Sequence, residues 1–498
     1  MTLPRPTGAQ LSILSAAALI FLWCEDKPLA MNDLGIYLAQ GREMVMQGGF
    51  ADVDRFTHTV AGARFLNGTW LSQYFFFRGW QLGGFALLQF VLACTSCGTL
   101  LITALGARRA SRSVPVAAGA GLLAFWLVLG NLGLRPQLFS LPLFAIYALL
   151  AMAVPPTWKT MLASAALVAA WANLHGAFAI APVLSVLVGV GFVWESVPAG
   201  AKPAEYVTRA LDAIRTDSGA RRHFLTAAIA LAAACANPYG WRILGYVAQN
   251  SSMPASRGLT EWQHTRLTTF HGVRLFSSLA ILAFTAWRMR RLPARRDLPA
   301  LLAFGVLGFS AIRHVVWTGM IWPLALARML PARENDPEKR YPAWLGIAAV
   351  VFWGFLLVND SPFVRVRGLE GDADLAKRFD ADTPIALAAW CEGNAVRGNL
   401  YNTMEWGSFF AWRLPDTKLF VDIRIWIFPD DLWQQYLDVA NAAAGWDDVL
   451  DRHEVRFAIL ERKFDARLLP AIAASPRWEQ IYADDLGLVY RRKALPAP

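Results

Sequence analysis

Apolar residues in this chain gather into long runs separated by short polar connections. The runs lie near 9–24, 82–107, 114–130, 136–154, 160–174, 177–197, 223–236, 272–289, 298–312, 315–330 and 342–358. Runs of this kind approach the length of helix that crosses a hydrocarbon layer, so the pattern predicts about eleven transmembrane helices, several of them short. The connection over 25–81 is too long for a turn. Leu34, Tyr37, Leu38, Met44 and Val45 fall on one face of a helix starting near Asn32, and "WLSQYFFFRGW" (70–80) predicts a second, aromatic-rich interfacial helix. After Val358 the runs shorten and charge rises, with Pro362 and Gly368 marking a linker. Helices are predicted at 372–390, 405–413, 430–443, 446–452 and 466–474, and strands at 398–402, 418–424, 455–461, 478–483 and 486–492. The fold class expected is therefore an all-α membrane domain over 1–358 and a soluble α/β domain with a mixed sheet over 359–498.

Composition supports a membrane protein: 56% of residues are hydrophobic and 17% charged. The net charge of +10 raises the question of nucleic acid, but the basic residues concentrate in alternate connections. These are "RRASR" (108–112), the 198–222 segment with Lys202, Arg209, Arg215, Arg221 and Arg222, "RMRRLPARR" (288–296) and "RENDPEKR" (333–340). By the positive-inside rule those connections are cytoplasmic, which places the N-terminus inside and the C-terminal domain outside. The charge orients the chain, and no nucleic-acid partner is expected. The first apolar run lacks a small-residue cleavage site and is read as the first span. The five cysteines form no disulfide framework, and "CTSC" (94–97) reads as packing within a span.

Orientation gives meaning to the polar residues at span ends. Asp33, Asp54, His58, Arg135, Asn173, His175, Asn237, Glu261, His264, His271, Arg313 and His314 all fall on the predicted outer side, five of the seven histidines among them. Several sit in "LRPQ", "NLHG", "NPYGW" and "IRH", where apolar surroundings make ionisable groups costly and commonly functional. Together they predict a polar cavity at the outer membrane boundary. Each also has a plainer reading. Asp33 fits a helix cap, Arg135 a snorkelling anchor, Asn237 a turn before Pro238, Glu261 with Trp262 an interfacial anchor, and His175 a satisfied carbonyl partner. In the C-terminal domain, Asp422 and Arg424 of "VDIR" fit a strand-end ion pair or a substrate contact. No phosphate loop, dinucleotide fingerprint or serine elbow is present.

A first connection with an acidic residue soon after the first span, a juxtamembrane helix, many short spans and a C-terminal extracytoplasmic domain resemble the GT-C glycosyltransferases. "NDLGIYLAQGREMVMQGGFADVDRFTHTVAGARFLNGTWLSQYFF" is similar to the pattern of a bacterial GT-C-like group. "LRPQLFSL", "NLHGAF", "NPYGW", "EWQ" and "EWGSFFAWRLPDTKLFVDIR" resemble that group as well. The likeness covers most of the chain. It departs at Met31, where the group often has an acid, and at Gly35, Ile36 and Tyr37, which replace an aromatic pair and a histidine.

The resemblance implies transfer of a sugar from a polyprenyl-phosphate-linked donor to a glycan, lipid or protein acceptor at the periplasmic face of a bacterial inner membrane. Such transfer needs a base for the acceptor hydroxyl and cations for the leaving phosphate. Asp33 matches the family's catalytic position, and Asp54 is expected to position the acceptor. Arg135 and Arg313 suit a phosphate clamp. His175 and His314 are expected to assist that charge or bind the sugar, Asn173 and Asn237 to line the site, and Glu261 with Trp262 to supply a hydrogen bond and a stacking face. A divalent cation, Mg or Mn, would find hard oxygen ligands in Asp33 and Asp54. The rival expectation is a non-catalytic membrane assembly protein whose outer domain binds a partner. A transporter ranks third, because neither midplane ionisable groups nor inverted repeats are evident.

Overall fold

The computed structural model describes residues 5–198, 203–248, 260–331, 340–359 and 372–493. Lys202, positions 333–339 of the last basic connection, and the linker marks Pro362 and Gly368 lie outside them. The chain divides into two compact units, one of residues 1–26 and 89–365, the other of residues 27–88 and 366–498.

The first unit is helical, and a helix occupies each of its predicted apolar runs. Among the described residues five helices are long and apolar enough to cross a membrane, including Gly8–Asp26, Trp70–Ser111 and Phe270–Met289. Gln137–Ala153, Leu298–Ser310 and Ala343–Val358 are apolar but shorter, so helix length alone does not fix the number of spans at eleven. Local chemistry sets the helix ends. Thr157 and Thr160 form a capping box at the start of Trp158–Leu174, Asp217 caps Ser218–Ala234, and Thr269 accepts from Gly272 N at the head of Phe270–Met289. Val315–Met329 is buried along nearly its whole length despite Pro323. Phe144 meets Phe304 at 5.5 Å and Trp317 at 5.6 Å between ring centroids, an aromatic core joining three helices.

Among its described residues the second unit carries five strands: β1 (Gly398–Asn402), β2 (Thr417–Leu419), β3 (Phe457–Glu461), β4 (Trp478–Ala483) and β5 (Gly487–Arg492). Their order is β2-β1-β3-β5-β4, with β2, β1 and β3 parallel and β5 antiparallel to both β3 and β4. The mixed sheet agrees with the sequence, with two local differences. The helix expected over 372–390 is two helices, Asp372–Arg378 and Ile385–Gly393, because Pro384 disfavours helical backbone just before it. The strand expected over 418–424 stops at Leu419. Beyond it Arg424 N donates to Asp422 Oδ1 at 2.8 Å, and this side-chain turn replaces strand pairing.

Residues 27–88 are built into the same unit. The helix Met31–Gln47 packs on Met404–Arg413 so closely that a Cβ at Gly35 would fall 2.2 Å from the Ser408 carbonyl oxygen. Only glycine permits that approach. Further on, the stretch from Phe56 to Thr59 pairs with the edge of β2. Leu419 N donates to Phe56 O, His58 N to Leu419 O, and Thr59 Oγ1 to Phe420 O at 2.6 Å.

Candidate functional site

In the helical unit, five residues expected from sequence come together. Arg135 precedes the helix that begins at Gln137, Glu261 and Trp262 form a short 3₁₀ turn, and Arg313 and His314 lie in another between Leu298–Ser310 and Val315–Met329. Glu261 takes Arg135 Nη1 on one oxygen at 3.0 Å and Arg313 Nη1 on the other at 2.8 Å. Burial works against its charge, but Arg313 and Arg135 outweigh burial and hold the carboxyl below the usual range. The Arg313 guanidinium lies 4.5 Å from the Trp262 ring centre, and His314 packs edge-on against the same ring. Ile312 N donates to Gln263 O, and Thr265 Oγ1 to Gly308 O at 2.7 Å, so the two turns are fastened to each other.

The "NLHG" residues are held differently. His175 Nδ1 and Ser140 Oγ are 2.8 Å apart, and Trp171 Nε1 donates to the same hydroxyl at 2.7 Å. Asn173 Nδ2 donates to Ala169 O and Ala236 O, both at 2.8 Å, while Asn237 Nδ2 donates to Ala172 O at 2.9 Å. These reciprocal amide bonds tie the end of Trp158–Leu174 to the end of Ser218–Ala234. Arg135 and Arg313 both act electrostatically on His175, which places it beside the Glu261 cluster.

Sequence reasoning left out Arg274, in the second turn of Phe270–Met289. Its side chain is fully buried, 0% exposed, against the Phe270 ring at 4.3 Å and the backbone of Gly130. The signal was an arginine inside an apolar run, a placement that by itself points to function.

In the second unit, Asp33 is partly buried in the first turn of Met31–Gln47, two residues inside its start, and its N–H meets Asn32 Oδ1 at 2.9 Å. Asp54 is buried. Its Oδ2 accepts from Thr57 N at 3.1 Å and Thr57 Oγ1 at 2.6 Å, and its Oδ1 accepts from Arg424. Arg424 also binds Asp422, with Nε 2.9 Å from Oδ1, between the rings of Phe56 and Phe65. Burial opposes the Arg424 charge, yet Asp422 and Asp54 together hold its proton more firmly than usual. Asp422 and Arg424 thus make an ion pair, as one of their two sequence readings has it. His58, partly buried, keeps a neutral ring with its pKa pushed down to about 4 by desolvation and by His453. Among the described residues no three His, Cys, Asp or Glu side chains are grouped to hold a metal ion. Asp54, with each oxygen engaged, does not fit the role of cation ligand.

No protein-family model matches this chain, and no curated protein matches it. Solved structures do. The oligosaccharyltransferase of Archaeoglobus fulgidus in its apo form superposes with a TM-score of 0.55 at 13% identity, over 98% of this chain and 75% of that one. AglB from the same organism, in complex with an inhibitory peptide and a dolichol-phosphate, gives 0.56 at 13% identity over 98% and 74%. ArnT from Cupriavidus metallidurans bound to undecaprenyl phosphate gives 0.51 at 14% identity over 96% and 97%. These neighbours are GT-C superfamily membrane glycosyltransferases, so the fold is of GT-C type, as the sequence resemblance implied.

Proposed function

We propose that this protein is an integral membrane glycosyltransferase, moving a sugar from a polyprenyl-phosphate-linked donor to an acceptor hydroxyl at the periplasmic face of a bacterial inner membrane. The observation that carries the reading is the grouping of Arg135, Glu261, Trp262, Arg313 and His314 in a chain of GT-C fold.

Glycosyl transfer breaks the bond from the anomeric carbon to the phosphate oxygen and forms one to the acceptor oxygen, with positive charge on the sugar at the transition state. The leaving oxygen gains negative charge, which guanidinium groups stabilise through directed N–H donors. Glu261 spends one Nη1 donor from each arginine and fixes both forks. Arg135 and Arg313 are assigned to the departing phosphate, and the face of Trp262 away from Arg313 to the sugar. His175 and His314 flank the charge, while Asn173 and Asn237 hold the wall in shape. Asp33 is assigned as the base that takes the acceptor proton, and Asp54 as the residue that fixes the segment following it.

The test is a transfer assay in membranes with a polyprenyl-linked sugar, comparing wild type with Asp33→Asn at matched expression. Removing a general base lowers turnover by about 10²–10⁴-fold. Wild-type rates in the variant would remove Asp33 from the mechanism. Absence of transfer by the wild-type protein with every donor tried would favour an assembly role.

A further inference from the structure

The charges around the Glu261 cluster do not cancel. Glu261 offsets one positive charge of the two arginines it binds. A third guanidinium, Arg274, is joined to this group through the 3₁₀ turn Leu129–Asn131. A Cβ at Gly130 would fall 1.8 Å from Arg274 Nη2, so the guanidinium lies directly on that turn. From the same turn, Asn131 Nδ2 reaches the Arg313 carbonyl at 3.5 Å, and the Gly130 carbonyl lies 3.4 Å from His271 Nε2. Arg274 and Arg135 both act electrostatically on His271.

Among the described residues Arg274, unlike Arg135 and Arg313, has no acidic partner. Its Nε donates to Phe270 O at 3.2 Å, but Nη1 and Nη2 are buried without a hydrogen-bond partner. Burying an arginine with two unsatisfied nitrogens is costly, and a ligand that supplies anionic oxygen recovers that cost. Phe270, 56% exposed, lies over the guanidinium and packs edge-on against Trp126, so a ligand reaches Arg274 by turning this ring. Three guanidiniums and one carboxylate leave a surplus of two positive charges. A sugar phosphodiester carries one negative charge, whereas a diphosphate diester carries two.

We propose that Arg274 is the subsite for a second phosphate, and that the donor is a polyprenyl diphosphate-linked sugar in place of a monophosphate-linked one. This rests on the glycosyltransferase reading above and narrows its substrate class. The Glu261-bound arginines hold one phosphate, and Arg274 presents Nη1 and Nη2 to the other.

The experiment measures binding by the full-length protein, in nanodiscs of zwitterionic lipid, of two probes with the same sugar: undecaprenyl-phosphoryl-N-acetylglucosamine and undecaprenyl-diphosphoryl-N-acetylglucosamine. The expected result is at least tenfold tighter binding of the diphosphate by wild type, falling below threefold in Arg274→Gln. Arg274→Lys retains the charge without the fork and should fall between the two. Equal affinity of wild type for the two probes, or a preference retained in Arg274→Gln, overturns the proposal while leaving the glycosyltransferase reading in place. The wild-type comparison decides even where a variant fails to fold. If wild type binds neither probe, the broader reading fails with it.

Discussion

Asp54 and Arg424 form an ion pair across 370 positions of sequence, with side chains 0% and 1% exposed. Asp422 shares the same guanidinium. The pair fastens the connection after the first span to the end of β2, and the backbone bonds of Phe56, His58 and Thr59 run alongside it. A carboxylate held in this way shapes its surroundings.

Truncating one partner of a buried pair strands the other charge and costs about 3–5 kcal/mol. Asp54→Ala leaves Arg424 its Asp422 partner, so it is expected to destabilise the second unit by less than that full amount. Hydrogen exchange of the β1 and β3 amides in the intact protein reads the change locally. Arg424→Met strands both carboxylates and should cost the full amount, and the double variant less than the sum, because both substitutions remove the Asp54–Arg424 pair. Unchanged exchange in Asp54→Ala would return Asp54 to a purely chemical role.

The sheet and its connecting helices were legible because short alternating patterns bounded by Gly, Pro and Asp report local structure directly. Strand β1 stands where the sequence puts it, at 398–402. The grouping of Arg135, Glu261 and Arg313 was anticipated from a different kind of evidence, the cost of ionisable groups at span ends. The Asp54 to Arg424 pair was not legible. Its partners sit in separate predicted domains, and a contact across hundreds of residues leaves no periodic trace. Arg274 was passed over because the pattern around it is that of an ordinary apolar helix, and only its burial without an acid reveals the oddity.

Glu261 offers a test of the cluster that is separate from Asp33. Glu261→Gln keeps shape but removes the charge that orients two guanidiniums. Because those groups are assigned to the leaving phosphate, turnover should fall about 10–100-fold, the scale of a misplaced catalytic group, while donor binding weakens less. Steady-state kinetics against donor concentration separates the two effects. A rise in KM alone would mean that Glu261 serves ground-state binding only.

Asn173 and Asn237 hold two helix ends together by side-chain to carbonyl bonds. Replacing either with Ala leaves a carbonyl of the other helix unsatisfied, at about 1–3 kcal/mol. Their direct contact, Asn237 Nδ2 to Asn173 Oδ1 at 3.2 Å, predicts non-additivity in a double-variant cycle. Thermal unfolding in detergent measures all four proteins. Strict additivity would show the two amides acting independently.

The buried polar groups of the second unit predict two opposed pH effects. Burial pushes the Asp465 carboxyl up to about 7, although Glu461 N and Thr403 Oγ1 donate to it at 2.8 and 3.1 Å. In the unfolded chain the same carboxyl gives up its proton near 3.9. Its contribution is therefore complete below about pH 4 and is lost as pH rises towards 7, by at most about 4 kcal/mol. His58 acts in the other sense. Its imidazole titrates near 4 when folded and near 6.5 when unfolded, so stability is lost as pH falls through that interval. Asp465→Asn keeps an acceptor for both donors and cannot ionise. Followed by β3 amide exchange between pH 4 and 8, this variant should lack the loss seen in wild type on raising the pH, retain the loss on lowering it, and be the more stable protein at pH 8. Parallel profiles for the two proteins would show that Asp465 ionises in the folded state much as it does in the unfolded chain.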